Sequence, residues 1–210
     1  MLLGCLRQHR LLAIVRAEEP TAAVRAVVEL AHAGIAAIEV SLTTPDAPAA
    51  LREARAQLGA AFPLGAGTVV SRRDAELAVA AGASFLVTPG LSPGAAAAAE
   101  LGVELLVGAL TPSELIAARE LAPAAVKLFP AGSSGGAAHL RALRDPFPDV
   151  PLVPVGGVGA GDAARYLDAG AVAVGVGGSL VGDAARPGGD LDALRRRAQE
   201  LRAAVAAYVA

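Results

Sequence analysis

Residues 152–177, LVPVGGVGAGDAARYLDAGAVAVGVG, contain one complete strand–helix–strand unit. Two short apolar runs, 152–156 and 171–177, flank a segment near 160–168 that has helical periodicity. Neither run alternates strongly between polar and apolar residues, which is typical of parallel strands that are covered on both faces. The unit therefore predicts a parallel sheet with helices packed against it.

The same unit recurs along the chain, because eight apolar runs are each followed by a turn and an alanine-rich helical segment. Eight units predict an α/β fold, a single-domain (β/α)8 TIM barrel over residues 1–210 with a short N-terminal helix. A doubly wound open sheet is the alternative. The predicted strands are 11–15, 36–40, 63–68, 85–89, 104–109, 124–130, 152–156 and 171–177. The predicted helices lie near 20–33, 46–59, 71–81, 93–101, 112–121, 136–145, 160–168 and 190–208. The expected N-caps are Thr21, Thr44, Ser71, Ser92, Thr111 and Asp190.

The composition argues against several classes of function. The chain has 210 residues and a formal net charge of −2, so no electrostatic attraction to nucleic acid or to an anionic membrane is expected. No window holds the roughly 18 uninterrupted large apolar residues of a membrane-spanning helix. Cys5 is the only cysteine, and the histidines lack metal-ligand spacing, so neither a disulfide nor a metal site is expected. These features favour a cytoplasmic protein.

Residues 124–130, AAVKLFP, place a lysine in a short apolar run that ends at a proline. Lys127 is the only lysine among the 18 lysine and arginine residues of the chain. Burial disfavours the charged ammonium, and a neutral amine can attack a carbonyl to form a Schiff base. The alternative is a lysine whose ammonium reaches solvent from a strand end.

Glu39 lies near the end of the second predicted strand. If Ile38 and Val40 pack outward beneath the helices, the two-residue period of a strand turns Glu39 into the barrel. A carboxylate there needs a partner or a chemical role, so general acid–base catalysis and a buried ion pair with Arg16 are both open. The same alternation turns Lys127 inward. Three small residues are also expected to point inward and leave room for a ligand: Ala37, Ala66 and Ala125.

Two further polar residues end predicted strands. Thr68 closes the third strand, where its hydroxyl is able to bond a substrate carboxylate or the attacking amine, although threonine is also common at strand ends. Arg16 closes the first strand, and a guanidinium at the mouth of a barrel suits a carboxylate or a phosphate. The alternative for Arg16 is a solvated residue at a strand end.

Glycine clusters follow the seventh and eighth strands, at 156–157 and 175–178. Loops at these positions frequently bind phosphate in barrels, because glycine exposes backbone N–H groups. Leu180 stands where a dinucleotide fingerprint would have its third glycine, and no P-loop ending is present. We therefore expect the phosphate of a small metabolite and no nucleotide cofactor, with tight strand–helix packing as the alternative.

Seven short motifs, in order along nearly the whole chain, make the sequence similar to a known family. It resembles the bacterial 2-keto-3-deoxy-6-phosphogluconate (KDPG) and 2-keto-3-deoxy-6-phosphogalactonate aldolases, class I enzymes that also include 4-hydroxy-2-oxoglutarate (KHG) aldolase activity. Each motif alone is weak, but the ordered set is specific. The motifs are IVR at 14–16, IEV at 38–40, GAGTV at 65–69, VTPG at 87–90, VKLFP at 126–130, VGGV at 155–158 and GGS at 177–179.

The resemblance implies a role for each candidate residue. Lys127 would be the Schiff-base nucleophile and Glu39 the general acid–base, while Arg16 and Thr68 would lie near the substrate carboxylate. The resemblance also implies a homotrimer and, because an iminium serves as the electron sink, neither a metal nor a cofactor. Four loop residues would surround the phosphate: Gly156, Gly157, Gly178 and Ser179.

The implied reaction is reversible cleavage of a 2-keto-3-deoxy-6-phospho sugar acid to pyruvate and D-glyceraldehyde 3-phosphate, with KHG cleavage to pyruvate and glyoxylate as a further expectation. Two positions depart from the family pattern. Thr43 stands where some members carry an arginine, so carboxylate binding would rest on Arg16. Val155 stands where gluco-specific members often have threonine. Its isopropyl group cannot hydrogen-bond a C4 hydroxyl, which favours the galacto epimer or mixed selectivity.

Two other functions fit the same barrel. An isomerase or synthase would keep the phosphate loops but form no imine, with Lys127 as an acid–base group or anion ligand. A catalytically silent sugar-phosphate-binding barrel would bind a phosphorylated acid without turnover. Burial of both Glu39 and Lys127 argues against the silent barrel, which would gain little from it.

Overall fold

The computed structural model describes residues 2–209, which form a barrel of eight parallel strands. Successive strands pair in chain order, and β8 pairs with β1. A bridge between Val155 and Gly175 joins β7 to β8, so the sheet closes on itself. The predicted (β/α)8 barrel is confirmed and the open sheet is wrong; Met1 and Ala210, the ends of the predicted domain 1–210, lie outside the described residues. The strands are β1 (Leu11–Val15), β2 (Ile38–Ser41), β3 (Leu64–Gly67), β4 (Phe85–Val87), β5 (Glu104–Ala109), β6 (Ala125–Leu128), β7 (Leu152–Pro154) and β8 (Val174–Val176).

Each strand is followed by a helix on the outside of the barrel, and the expected N-terminal helix covers the amino-terminal end of the strands. Leu2 and Leu6 of that helix are buried in the same cluster as Leu12, which points into the barrel. The Glu104 carboxylate accepts hydrogen bonds of 2.7 and 2.9 Å from the Leu2 amide. No described helix is both long and apolar enough to cross a membrane. The helices are α1 (Leu2–His9), α2 (Pro20–His32), α3 (Ala47–Leu58), α4 (Arg72–Ala80), α5 (Pro93–Glu100), α6 (Pro112–Arg119), α7 (Gly136–Arg144), α8 (Ala160–Asp168), α9 (Gly178–Val181) and α10 (Leu191–Val205).

Capping side chains set the start of several helices. The predictions of Thr21 and Thr44 as N-caps are wrong, because prolines in the first turns of α2 and α3 place the caps at Glu19 and Asp46. The Thr44 hydroxyl instead accepts a hydrogen bond of 3.1 Å from the Ala17 amide and so ties the loop after β2 to the end of β1. Four predicted caps are confirmed by side chains that accept a backbone N–H: Ser71, Ser92, Thr111 and Asp190.

The core has two layers, one between sheet and helices and one inside the barrel. Ile38 and Val40 belong to the outer layer, where they pack beneath the helices as predicted. Ala37 and Ala125 belong to the inner layer with larger residues such as Phe85. Two of the three small residues that were assigned to the interior therefore lie there.

The prediction that Ala66 points inward is wrong. In the sheet register Ala66 pairs with Val40, and both belong to the outer layer. The inward residues of β3 are therefore Gly65 and Gly67. A Cβ at Gly65 would lie 2.3 Å from the Phe85 ring, so this ring occupies the space that the glycine leaves. The interior space beside β3 is therefore left by glycines and not by alanine, and the side chains of Phe85 and Glu39 fill it.

Candidate active site

Lys127 lies on β6 and points into the barrel. The residue two positions earlier, Ala125, belongs to the inner layer, and the strand alternation places Lys127 on the same face. Lys127 is only 6% exposed, and its Nζ lies 5.0 Å from the centroid of the Phe129 ring. The aromatic face offers the amine a favourable contact at a site with little water.

Glu39 lies on β2 and faces the same interior. The residue is 1% exposed, and its Oε2 makes no hydrogen bond within the described residues. Burial raises the pKa of Glu39, and the positive charges of Lys127 and Arg16 oppose this rise. Arg16 therefore acts on the Glu39 carboxyl through space, and no hydrogen bond joins it to Oε2 as the ion pair that the sequence left open would require. A carboxyl with a raised pKa is suited to accept and return a proton near neutral pH.

Thr68 follows β3 directly, in a left-handed conformation with φ of 62° that is an outlier for a β-branched residue. Its Oγ1 lies 2.9 Å from the Oγ of Ser41, which in turn lies 2.8 Å from the Oγ1 of Thr43. Ser41 is fully buried and was missed in the sequence analysis. The available signal was its position two residues after Glu39, on the same face of β2.

Thr88 is a second buried polar residue that the sequence analysis did not assign a role. Its Oγ1 accepts a hydrogen bond of 3.1 Å from the Gly108 amide and donates one of 2.8 Å to the Gly90 carbonyl. These two bonds satisfy the hydroxyl and fix the loop after β4 against β5. The contacts of Thr88 are those of a structural residue.

A cavity of about 680 Å³ opens at the carboxyl ends of β1, β7 and β8. Arg16 enters it from the end of β1, and the ring of Phe129 forms the wall nearest Lys127. The predicted residues thus form two groups, an inner group with the lysine and the carboxyl, and an outer group around the cavity. Besides Arg16, the outer group contains Val155, Gly156, Gly157, Gly178 and Ser179.

The glycines of the outer group differ in their backbone conformation and in the space around them. Gly156 and Gly157 have φ values of 89° and 73°, in the left-handed region that favours glycine. A Cβ at Gly178 would meet no atom within 4 Å, so this position borders open space at the start of α9. The first N–H groups of a helix lack acceptors within it, and the amide N–H groups of Gly178 and Ser179 donate no backbone hydrogen bond within the described residues. The Ser179 hydroxyl donates to the Val158 carbonyl at 2.9 Å.

Val155 connects the two groups. Its side chain is buried, belongs to the inner layer and also lines the cavity. A Cβ at Gly175 would lie 2.5 Å from Cγ2 of Val155, so the valine occupies the space over that glycine. An apolar branched side chain therefore belongs both to the barrel interior and to the wall of the cavity.

A closed barrel with a buried lysine and a buried carboxyl in one interior, beside a glycine-lined cavity, is the arrangement expected of a class I aldolase. The model of the KDPG and KHG aldolase family matches residues 3–196, and the chain belongs to this family. Within residues 2–209, no group of three or more His, Cys, Asp and Glu side chains is placed to hold a metal ion.

Individual relatives agree with the family assignment. The chain is 37% identical to the 2-dehydro-3-deoxy-phosphogluconate aldolase of Pseudomonas aeruginosa over 165 residues, which cover 77% of this chain and 73% of the relative. The KDPG aldolase of Zymomonas mobilis ZM4 with 3-phosphoglycerate superposes with a TM-score of 0.84 at 27% identity, covering 95% and 94% of the two chains. The KDPG aldolase of Legionella pneumophila, with pyruvate captured as a covalent carbinolamine, gives 0.82 at 25% identity, covering 100% and 98%.

Proposed function

We propose that the protein reversibly cleaves a 2-keto-3-deoxy-6-phospho sugar acid to pyruvate and D-glyceraldehyde 3-phosphate through an imine on Lys127. The observation that carries the proposal is the burial of Lys127 and Glu39 in one interior, since burying two ionisable groups is costly without a chemical role. Cleavage of KHG to pyruvate and glyoxylate uses the same keto-acid end and is proposed as a second activity.

The first half of the mechanism uses the amine of Lys127. Its lone pair attacks the C2 carbonyl carbon, a C–N bond forms, and the carbinolamine loses water to give an iminium. When the C3–C4 bond breaks, its electron pair moves toward the iminium nitrogen and leaves an enamine. The iminium thus accepts the electron pair of the broken bond, a task that a Lewis-acid metal performs in other aldolases.

The second half of the mechanism uses the carboxyl of Glu39. As a carboxylate it takes the proton of the C4 hydroxyl, directly or through a water, while C4 becomes the aldehyde carbonyl. It then returns the proton to C3 of the enamine, and water hydrolyses the resulting iminium to free pyruvate and the amine. The raised pKa of Glu39 suits both steps, because a group that must accept and return a proton works best near the operating pH.

The two ends of the substrate would be held by two different sets of residues. Arg16 and Thr68 are proposed to bind the carboxylate, since a guanidinium and a hydroxyl both donate to an anionic oxygen. Four residues are proposed to hold the phosphate, chiefly through backbone N–H groups because the Ser179 proton already has an acceptor: Gly156, Gly157, Gly178 and Ser179.

Gly67 gives the first test of the proposed geometry. A Cβ at Gly67 would lie 2.3 Å from Oε1 of Glu39, so Gly67→Ala should push the carboxyl out of position. Misplacing a catalytic group by about 1 Å can lower the rate by about 10²-fold, and we expect a fall in kcat of that order. Overpacking should also lower the free energy of unfolding by about 1–3 kcal/mol. Steady-state kinetics and urea titration measure the two effects.

Gly65→Ala is the matched control for this test. Its Cβ would meet the Phe85 ring at 2.3 Å, so the variant overpacks the same strand against a ring and not against the Glu39 carboxyl oxygen. We expect a comparable loss of stability and a much smaller loss of kcat. If Gly67→Ala and Gly65→Ala lower kcat equally at matched stability, the space at Gly67 is not what keeps the Glu39 carboxyl in its catalytic position.

Gly178 gives a test of the phosphate end. Gly178→Asp adds a carboxylate in open space at the cavity wall, where it would repel a phosphate. We expect the KM for the phosphorylated acid to rise by about 10²-fold, the order of several kcal/mol for like charges in contact. The pyruvate concentration that half-saturates reductive trapping on Lys127 should stay the same.

Gly161→Asp is the charge-matched control. Gly161 lies on α8, its Cβ would also meet no atom within 4 Å, and it does not line the cavity. This variant adds the same charge to the protein and is expected to leave the KM for the phosphorylated acid within about twofold. An equal rise in KM in both variants would mean that net charge causes the effect, and it would contradict the proposal that this loop binds the phosphate.

Val155 is the residue that we propose to set selectivity at C4. Its isopropyl group lies in the barrel interior and at the cavity wall, and it cannot donate a hydrogen bond to a C4 hydroxyl. We therefore propose preference for the galacto epimer or mixed selectivity. Coupled release of pyruvate from the gluco and galacto acids, measured side by side, tests both the activity and this preference. A strong gluco preference would contradict the role of Val155, and no release from either acid would contradict the function.

We propose that the protein assembles as a homotrimer. Several apolar side chains are exposed on or beside α4 and α5, two helices that pack together, and such a patch favours contact with another subunit. Light scattering should give three times the chain mass. The patch consists of Val70, Leu77, Leu91 and Leu101.

We also propose a cytoplasmic location. Cys5 is the only cysteine of the chain and is a free thiol, which suits a reducing compartment.

A further inference from the structure

Three hydroxyl groups form a continuous chain from the barrel interior to its surface. Ser41 Oγ is central, 2.9 Å from Thr68 Oγ1 and 2.8 Å from Thr43 Oγ1. Ser41 is fully buried, Thr68 is half-buried and Thr43 is exposed. The Thr43 amide also points to Ser41 Oγ at 3.4 Å. No step of the proposed mechanism uses Ser41.

The number of protons on the three hydroxyls limits which of the two threonines can donate a further hydrogen bond. Three hydroxyls carry three protons, and the two oxygen–oxygen contacts use two of them. Within residues 2–209 the buried Ser41 hydroxyl has no other acceptor, so it donates to one threonine and accepts from the other. One end of the chain therefore keeps a free O–H, and the direction in which Ser41 donates decides which end that is.

The two directions differ in how they would receive an anion. If Ser41 donates to Thr68, the Thr68 proton is free to point into the site, and Thr43 donates to Ser41 while water solvates its exposed oxygen. If Ser41 donates to Thr43, Thr68 presents only lone pairs, which repel a carboxylate. An anion beside Thr68 therefore selects the first direction, and aligned hydroxyls strengthen one another.

The backbone of Thr68 gives an independent reason to expect a functional constraint here. A β-branched residue at φ of 62° stores about 1–3 kcal/mol of strain, which persists where the surroundings fix the residue. Within the described residues, the Thr68 side chain makes its hydrogen bond with Ser41. The strained turn thus places the Thr68 hydroxyl where Ser41 can orient it.

We infer that Ser41 is a positioning residue, which turns the O–H of Thr68 toward the carboxylate of the keto acid. The inference rests on the proposed function, because it needs a keto acid bound through an imine on Lys127. Thr43 completes the chain by donating to Ser41, so an uncharged relay from the surface supports the anion-binding hydroxyl. Ser41 acts through Thr68 and does not touch the substrate.

Ser41→Ala tests the inference. The variant leaves Thr68 without its orienting partner, so we expect the KM for pyruvate in the condensation direction to rise about 10-fold, the size of one hydrogen bond to a charged group. The KM for D-glyceraldehyde 3-phosphate and kcat should stay within about twofold, because the lysine and the phosphate loops are unchanged. General loosening of the barrel would instead change kcat and both KM values.

A double-mutant cycle separates an effect through Thr68 from any other. Thr68→Val keeps the side-chain shape and should raise the pyruvate KM at least as much as Ser41→Ala. Adding Ser41→Ala to Thr68→Val should then change nothing further, because the group that Ser41 orients is gone. Ser84→Ala is the control, since its hydroxyl bonds the Leu64 carbonyl at the opposite end of the barrel.

Each remaining outcome has a definite meaning. An unchanged pyruvate KM in Ser41→Ala, or additive effects in the cycle, would overturn the inference while the proposed function stands. Absence of a borohydride-trapped pyruvate adduct in the wild type would overturn the proposed function, and the inference with it. The concentration dependence of trapping repeats the affinity measurement without turnover, so a variant with low activity still gives an answer.

Discussion

Arginine in place of Lys127 is expected to abolish aldol cleavage and to leave the barrel folded. The substitution keeps a long basic side chain next to the Phe129 ring, but a guanidinium stays protonated at working pH and has no lone pair with which to attack a carbonyl. Pyruvate release from the phosphorylated acid, coupled to lactate dehydrogenase, should fall to the uncatalysed rate. Borohydride with pyruvate should add one reduced adduct to the wild type and none to the variant.

The composition of the chain makes this trapping experiment easy to interpret. Lys127 is the only lysine, so peptide mapping has a single side-chain amine to assign. A wild type that forms no adduct and releases no pyruvate but still converts a phosphorylated substrate would indicate an isomerase or synthase without an imine. Binding of the phosphorylated acid in calorimetry without turnover would indicate a silent binding barrel. EDTA is expected to leave turnover unchanged, and a loss that Mg²⁺ restores would indicate a metal-dependent aldolase.

The barrel was predictable because the strand–helix pattern is repeated eight times, so an error in the bounds of one unit does not change the predicted number of units. The bounds of the strands were less predictable, and only 11–15 and 104–109 match β1 and β5. Apolar residues continue beyond the point where strand pairing stops. After β3, for example, the left-handed turn at Thr68 ends the pairing, and nothing in the letters GAGTV marks that turn.

The inner group of the site was predictable where large apolar side chains show which face of a strand packs against the helices. Ile38 and Val40 fix the outer face of β2, so Glu39 had to face inward. In β3 the glycines carry no side chain to report a face, and Ala66 was assigned to the wrong side. Ser41 was missed because the strand was predicted to end at residue 40, which put the serine in a turn.

Glutamine in place of Glu39 is expected to lower kcat by about 10²–10⁴-fold, the usual contribution of a general acid–base group. An amide cannot take the C4 proton or return it to C3, so cleavage should stall after the imine forms. Borohydride should therefore still trap pyruvate on Lys127 in this variant, unlike in Lys127→Arg. Glu200→Gln, which changes an exposed residue of α10, is the control and should leave turnover intact. Equal activity of Glu39→Gln and wild type would assign the proton transfers to another group.

Glu39→Gln should also change how stability depends on pH. Because burial raises the pKa of Glu39, the folded chain binds more protons than the unfolded chain between the two pKa values. The stability contributed by the neutral carboxyl is fully present below the unfolded value of about 4.3 and is lost as the pH rises through the folded value. Glutamine does not ionise, so the free energy of unfolding of the variant minus that of the wild type should increase across this window. A decrease would mean that the charges of Lys127 and Arg16 outweigh burial, and Glu39 would then be too weak a base to take the C4 proton.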